Sequence, residues 1–161
     1  MEIKVTVNGE EKTASVPPET TLLSALREQW GMTGSKSGCE VGDCGACTVL
    51  LDGKPVNSCL VLAGQANGRE VLSIEGLGTP NNLDPIQKIF ETHASLQCGF
   101  CGPGVIMSSK ALLNKTPDPT RLEVRDALAG NLCRCTGYVK MIDAVMELAA
   151  NNKSSNKSEA A

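Results

Sequence analysis

Eight cysteines fall into two groups, and the tighter group states the chemistry. Cys39, Cys44 and Cys47 form a C-x4-C-x2-C run, and Cys59 follows after eleven intervening residues. That is the plant-type spacing for the ligands of a [2Fe–2S] cluster. Three thiolates come from one loop and the fourth from a neighbouring segment. The loop itself reads Gly38-Cys39-Glu40-Val41-Gly42-Asp43-Cys44-Gly45-Ala46-Cys47. Its glycines admit positive φ and let backbone N–H groups approach the cluster sulfurs. Such N–H groups offset the negative charge of a thiolate-held cluster and tune its potential.

The second group is Cys98-Gly99-Phe100-Cys101 and, after thirty-one intervening residues, Cys133-Arg134-Cys135. Each pair stands just ahead of an expected helix. Two helix pairs packed about a pseudo-twofold axis would gather the four thiols between helix N-termini, whose partial positive charge suits an anionic site. On spacing alone this group also fits structural zinc. The C-x-C pair is tighter than the usual zinc separation of two to four residues, which tips the pattern toward iron–sulfur.

Around these cysteines the chain must build rigid supports. Ile3, Val5 and Val7 alternate with polar residues in a strand pattern, Asn8-Gly9 marks a hairpin, and Lys12 to Val16 returns. Thr20 or Thr21 caps a short helix from Leu22 to about Trp30. Thr48 to Leu51 leaves the cysteine loop as a strand, Asp52-Gly53 turns it, Pro55 to Leu62 carries Cys59, and Glu70 to Ile74 supplies a last strand. The period then becomes helical. Asp84-Pro85 with Gln87 opens a helix to about His93, Pro103 the next, Thr120 with Glu123 a third, and Thr136 a fourth. The expected divisions are 1–76, a linker at 77–83, a four-helix domain at 84–150, and a disordered polar tail at 151–161.

Composition bounds the function. A length of 161 residues allows one or two domains. Hydrophobic residues make up 41% but aromatics only 2%, so the core is aliphatic with Met as filler. A net charge of −3 without a block of like charges argues against nucleic acid as a partner. The start, Met1-Glu2-Ile3-Lys4-Val5, enters a strand directly, and no apolar run reaches the length of a membrane span. The expectation is a cytoplasmic protein in a reducing compartment, where clustered thiols bind metal. No nucleophilic triad, P-loop or dinucleotide fingerprint is present, so the chain carries no catalytic residues of its own.

Gln97-Cys98-Gly99-Phe100-Cys101-Gly102-Pro103-Gly104 and Gly130-Asn131-Leu132-Cys133-Arg134-Cys135-Thr136-Gly137-Tyr138, together with the Gly38–Cys47 loop, resemble the signatures of the molybdenum hydroxylase (xanthine dehydrogenase) family. The likeness spans residues 1 to about 150 and is to the small iron–sulfur subunit of multi-subunit members. These include xanthine, nicotinate and carbon monoxide dehydrogenases and 4-hydroxybenzoyl-CoA reductases. One departure is Gly102, where the family usually has Thr.

The resemblance implies an α+β chain, with an N-terminal plant-ferredoxin-like β-grasp domain followed by a four-helix [2Fe–2S] domain. It implies that Cys39, Cys44, Cys47 and Cys59 hold a first cluster, and Cys98, Cys101, Cys133 and Cys135 a second. It further implies that Gln97 and Cys135 contact the molybdenum–pterin cofactor of a large partner subunit. The chain would then pass electrons between that centre and a flavin (FAD) subunit or an external acceptor. The competing expectation is a free-standing two-cluster ferredoxin. His93 reads as a surface or capping residue, Met107, Met141 and Met146 as core, and Tyr138 as packing.

Overall fold

In the computed structural model, which describes residues 1–159, strands β1 (Glu2–Val7) and β2 (Glu10–Ser15) form the first hairpin. Asn8 and Gly9 both take positive φ, 54° and 82°, the geometry whose twist matches a two-residue hairpin. Ile3, Val5 and Val7 point inward and are buried, so the period-two pattern places one face of β1 in the core. Helix α1 (Leu22–Ser24) runs on as a π-helical turn over Ala25–Gln29. Thr21 caps it by accepting the Ser24 N–H at 3.1 Å.

Strand β3 (Thr48–Leu51) leaves the cysteine loop and pairs antiparallel with β4 (Lys54–Asn57) and with β5 (Glu70–Leu72). β5 in turn lies parallel to β1, with Val7 opposite Val71. Among the described residues the sheet order is β2-β1-β5-β3-β4. Leu22, Ala25 and Leu26 of the helical segment fill the core over this mixed sheet with Val5, Val49 and Val71. A sheet grasping one helix in this order is the ferredoxin-like half of an α+β chain.

The second half is helical: α2 (Pro85–Thr92), α3 (Gly102–Lys115), α4 (Arg121–Leu128) and α5 (Val139–Glu159). Asp84 and Thr120 cap α2 and α4 in reciprocal capping boxes with Gln87 and Glu123, and Pro85 occupies the first turn. Helix α2 packs on α5 and α3 on α4, and α4 also packs on α5. Ile86, Phe90, Val105, Val124, Met141 and Val145 form the shared core. His93 ends α2 and its Nε2 lies 2.8 Å from the Glu147 carboxylate of α5.

The halves are packed together by a third cluster, in which Leu50 of β3 meets Met107 and Ala111 of α3. Two local expectations differ from the structure. Thr136 does not cap α5, which begins three residues later, and its hydroxyl instead lies 3.1 Å from Cys133 Sγ. A tail was expected from residue 151, yet the backbone is helical to Glu159; residues 160 and 161 fall outside the described residues. The physical reason is that a helix already nucleated by packing extends for one hydrogen bond per added residue, even through Asn, Lys and Ser. Lys153 also pairs with Asp118 across this extension.

Candidate metal centres

The β3–β4 hairpin brings the distant member of the first cysteine group home. Thr48 pairs with Asn57, so Cys47 and Cys59 flank the end of the ladder. There Ser58 donates through its hydroxyl to the Cys47 carbonyl at 2.7 Å. The rest of the loop folds back over this end, held by Asn57 Nδ2 donating to the Gly42 carbonyl at 2.8 Å. Gly42 and Gly45 take positive φ of 85° and 68°, as the loop's glycines were expected to. Gly38 has a different reason to be glycine. A Cβ there would stand 2.9 Å from Cys44 Sγ, so its absence is what lets the chain pass the sulfur.

Electrostatics around this group are those of an anion site. Amides of Val41 and Cys44 point at the Cys39 sulfur and pull its thiol down to about 7; the Cys44 N–H stands 3.4 Å away. Burial, then the neighbouring Cys47, pushes the Cys59 thiol up to about 11. A thiolate at Cys59 therefore needs a positive neighbour, which a bound ferric ion would supply.

The second group gathers at the helix starts. Cys101 immediately precedes α3, and the Cys133–Cys135 loop precedes α5. Cys98 and Cys135 Sγ lie 3.6 Å apart at the surface, well beyond the roughly 2.05 Å of a disulfide bond. Cys101 is buried beside Cys133; burial first, and Cys133 second, push its thiol up to about 12. Burial also acts upward on Cys133, but the Thr136 hydroxyl and the amides of Cys135 and Thr136 outweigh it and hold that thiol low. Tyr138 shapes this loop from below: the Cys133 N–H donates to its phenol at 2.6 Å, and the phenol donates to the Asn131 carbonyl at 3.0 Å. Gly102 leaves room for Leu96, whose Cδ1 would lie 2.9 Å from a Cβ at that position. Gln97 is exposed beside Cys98.

Both groups thus contain contacting pairs, Cys39 with Cys44 and Cys47 with Cys59, Cys98 with Cys135 and Cys101 with Cys133. Among the described residues no three Cys, His, Asp or Glu side chains converge as the ligands of one ion do. Four thiols in two contacting pairs fit a two-iron cluster, which takes two thiolates on each iron. The two groups also touch. The Leu132 N–H, next to Cys133, donates to the Cys44 carbonyl at 2.9 Å. Spacing picks out all eight cysteines and the family resemblance adds Gln97; neither points to the hydrogen bonds of Asn131 and of the Tyr138 phenol, which depend on contacts across loops.

Comparison with known proteins agrees with this geometry. Residues 5–73 match the 2Fe–2S iron–sulfur cluster binding domain family, and residues 73–146 the [2Fe–2S] binding domain family. The chain is 49% identical over 147 residues to the nicotine 6-hydroxylase small subunit of Paenarthrobacter nicotinovorans, covering 91% of this chain and 88% of that subunit. It is 50% identical over 149 residues to the aldehyde oxidoreductase of Megalodesulfovibrio gigas, covering 91% of this chain but only 16% of that larger protein. Among solved structures, quinoline 2-oxidoreductase from Pseudomonas putida 86 superposes with a TM-score of 0.91 at 45% identity, covering 97% of this chain and 96% of the matched one.

Proposed function

Since the chain belongs to the family of small [2Fe–2S] iron–sulfur subunits of the molybdenum hydroxylases, we propose that it carries electrons between the molybdenum–pterin centre of a larger partner and a second redox partner. In this reading Cys39, Cys44, Cys47 and Cys59 hold the first cluster. Cys98, Cys101, Cys133 and Cys135 hold the second. The observation that carries it is the hydrogen-bonded contact between the two paired-thiol groups, Leu132 to Cys44. When bound, each cluster takes up and returns one electron.

The residues of this chain supply the setting. Amides aimed at Cys39 and the hydroxyl of Thr136 at Cys133 stabilise sulfur-borne charge. Burial of Cys47, Cys59 and Cys101 keeps water from one side of each group. Cys98, Cys135 and Gln97 are exposed together, and Phe100, Leu132 and Val139 stand out of the same region as apolar side chains. That edge suits a large partner, with Gln97 and Cys135 against its pterin. The first cluster would pass electrons on to the acceptor side, where a flavin subunit would dock. The division at 1–76 and 84–150, joined by 77–83, and a cytoplasmic site of action complete the proposal. No helix among the described residues is long and apolar enough to cross a membrane.

The test is to capture the native complex through this chain and measure metals and partner masses. Molybdenum, a large partner, and about four irons with four sulfides per copy of this chain support the reading. About four irons with neither molybdenum nor partner would make it a free ferredoxin. About two irons with one zinc would remove the second cluster.

A further inference from the structure

Asn131 is 3% exposed, and the proposed electron route gives it no task. Its Nδ2 donates to the Gly45 carbonyl at 2.9 Å and to Thr48 Oγ1 at 3.3 Å, while the Thr48 hydroxyl donates its own proton to Gly45 at 2.7 Å. The three groups form a closed triangle in which each donor has an acceptor. The main chain of Asn131 is fixed as well, its N–H donating to Leu128 at 3.0 Å and its carbonyl accepting from Tyr138. Gly45 lies next to Cys44, and Asn131 stands two residues ahead of Cys133.

The backbones here approach as closely as glycine allows. A Cβ on Gly45 would stand 2.3 Å from the Gly130 carbonyl oxygen, and a Cβ on Gly104 2.2 Å from the Gly45 oxygen. Beside this clamp runs a direct link between the cysteine groups, from the Cys44 carbonyl through the Leu132 N–H and one peptide to Cys133. A buried side-chain amide spanning two ligand loops controls how far apart those loops sit. A stabilising residue elsewhere in either core does not.

We infer that Asn131 is a positioning residue that sets the spacing of the two ligand loops, and with it the electronic coupling between the clusters they hold. The inference rests on the reading that both groups hold [2Fe–2S] clusters. The event it governs is one electron leaving the reduced centre and entering the oxidised one, with no bond made or broken and no proton moved. Lengthening the hydrogen-bonded contact weakens the coupling because electronic overlap decays steeply with separation.

The experiment uses the intact complex carrying Asn131→Asp, which keeps the shape but turns a donor toward two oxygens into an acceptor. With both clusters reduced, low-temperature EPR reads the magnetic splitting between them, and rapid-mixing optical spectroscopy reads the rate of one-electron equilibration. The expected result is a smaller splitting and a several-fold slower rate, with iron, sulfide and each cluster's own g-values as in the unmodified complex. Thr48→Val and Gly104→Ala act on the same contact and should move both readings in the same direction, so they decide the matter if the Asp variant does not assemble. Unchanged splitting and rate in fully loaded variants, even with a lowered melting temperature, would overturn the inference and leave Asn131 a stabilising residue. Failure of the parent reading looks different: the unmodified complex would itself lack four irons per chain or any two-spin interaction.

Discussion

Replacing Met107 with Ala should uncouple the two halves of the molecule. Met107 is fully buried and sits with Leu50 and Ala111 in the cluster joining β3 to α3, apart from both main cores. Buried Met→Ala changes cost about 2–5 kcal/mol, from lost transfer energy and the cavity left behind. A mid-range value of about 3 kcal/mol corresponds to roughly 6–12 °C in melting temperature for a chain of this size. The chain provides its own reporters. Trp30, the sole tryptophan, packs on the sheet core, with its indole N–H donating to the Thr13 carbonyl at 3.3 Å. Most of the long helices lie in the other half. Tryptophan fluorescence and far-ultraviolet circular dichroism should therefore melt together in the unmodified chain and separate in Met107→Ala. A loss below about 0.5 kcal/mol with coincident transitions would refute the reasoning, because a surface-like cost means the cluster does not join the halves.

Other outcomes follow from single contacts. Thr120→Ala should cost about 1 kcal/mol by thermal melting, since the hydroxyl caps α4. Thr120's backbone N–H, then its hydroxyl, hold the Glu123 carboxyl below the ordinary carboxylate range. Its contribution is accordingly complete above pH about 4.3 and lost as pH falls through the lowered folded value; in Glu123→Gln a pH titration of stability should lack that acidic step, and an unchanged step assigns it to another group. Tyr138→Phe strips the phenol from between the Cys133 N–H and the Asn131 carbonyl, costing about 1–3 kcal/mol if both stay buried. The g-values of the second cluster should shift while those of the first stay, and a change in the first cluster's own g-values would contradict this placement. Gln97→Ala should keep both clusters, by iron and sulfide analysis, while slowing reduction of the second cluster from the partner; unchanged reduction would count against a pterin contact.

What the sequence determined by itself was local. Asn8-Gly9 and Asp52-Gly53 turn with positive φ because their neighbours along the chain leave no cheaper geometry. The capping boxes at Asp84 and Thr120 close over three residues, and the cysteine spacings state ligand chemistry before any fold exists. Where reading by position failed, a competitor from elsewhere had won: Thr136 turned from capping a helix to facing a sulfur, and Gly38 proved to be small for Cys44 rather than for its own φ. The parallel pairing of β1 with β5 joins residues more than sixty apart, and no local preference specifies it. Only the tertiary structure set Leu50 against Met107, Asn131 against Gly45, and the Leu132 N–H on Cys44. Those contacts span tens of residues of chain and form only when two separate cores have closed. The sequence thus determined which atoms can hold the clusters; packing between the halves decided how near to each other they are held.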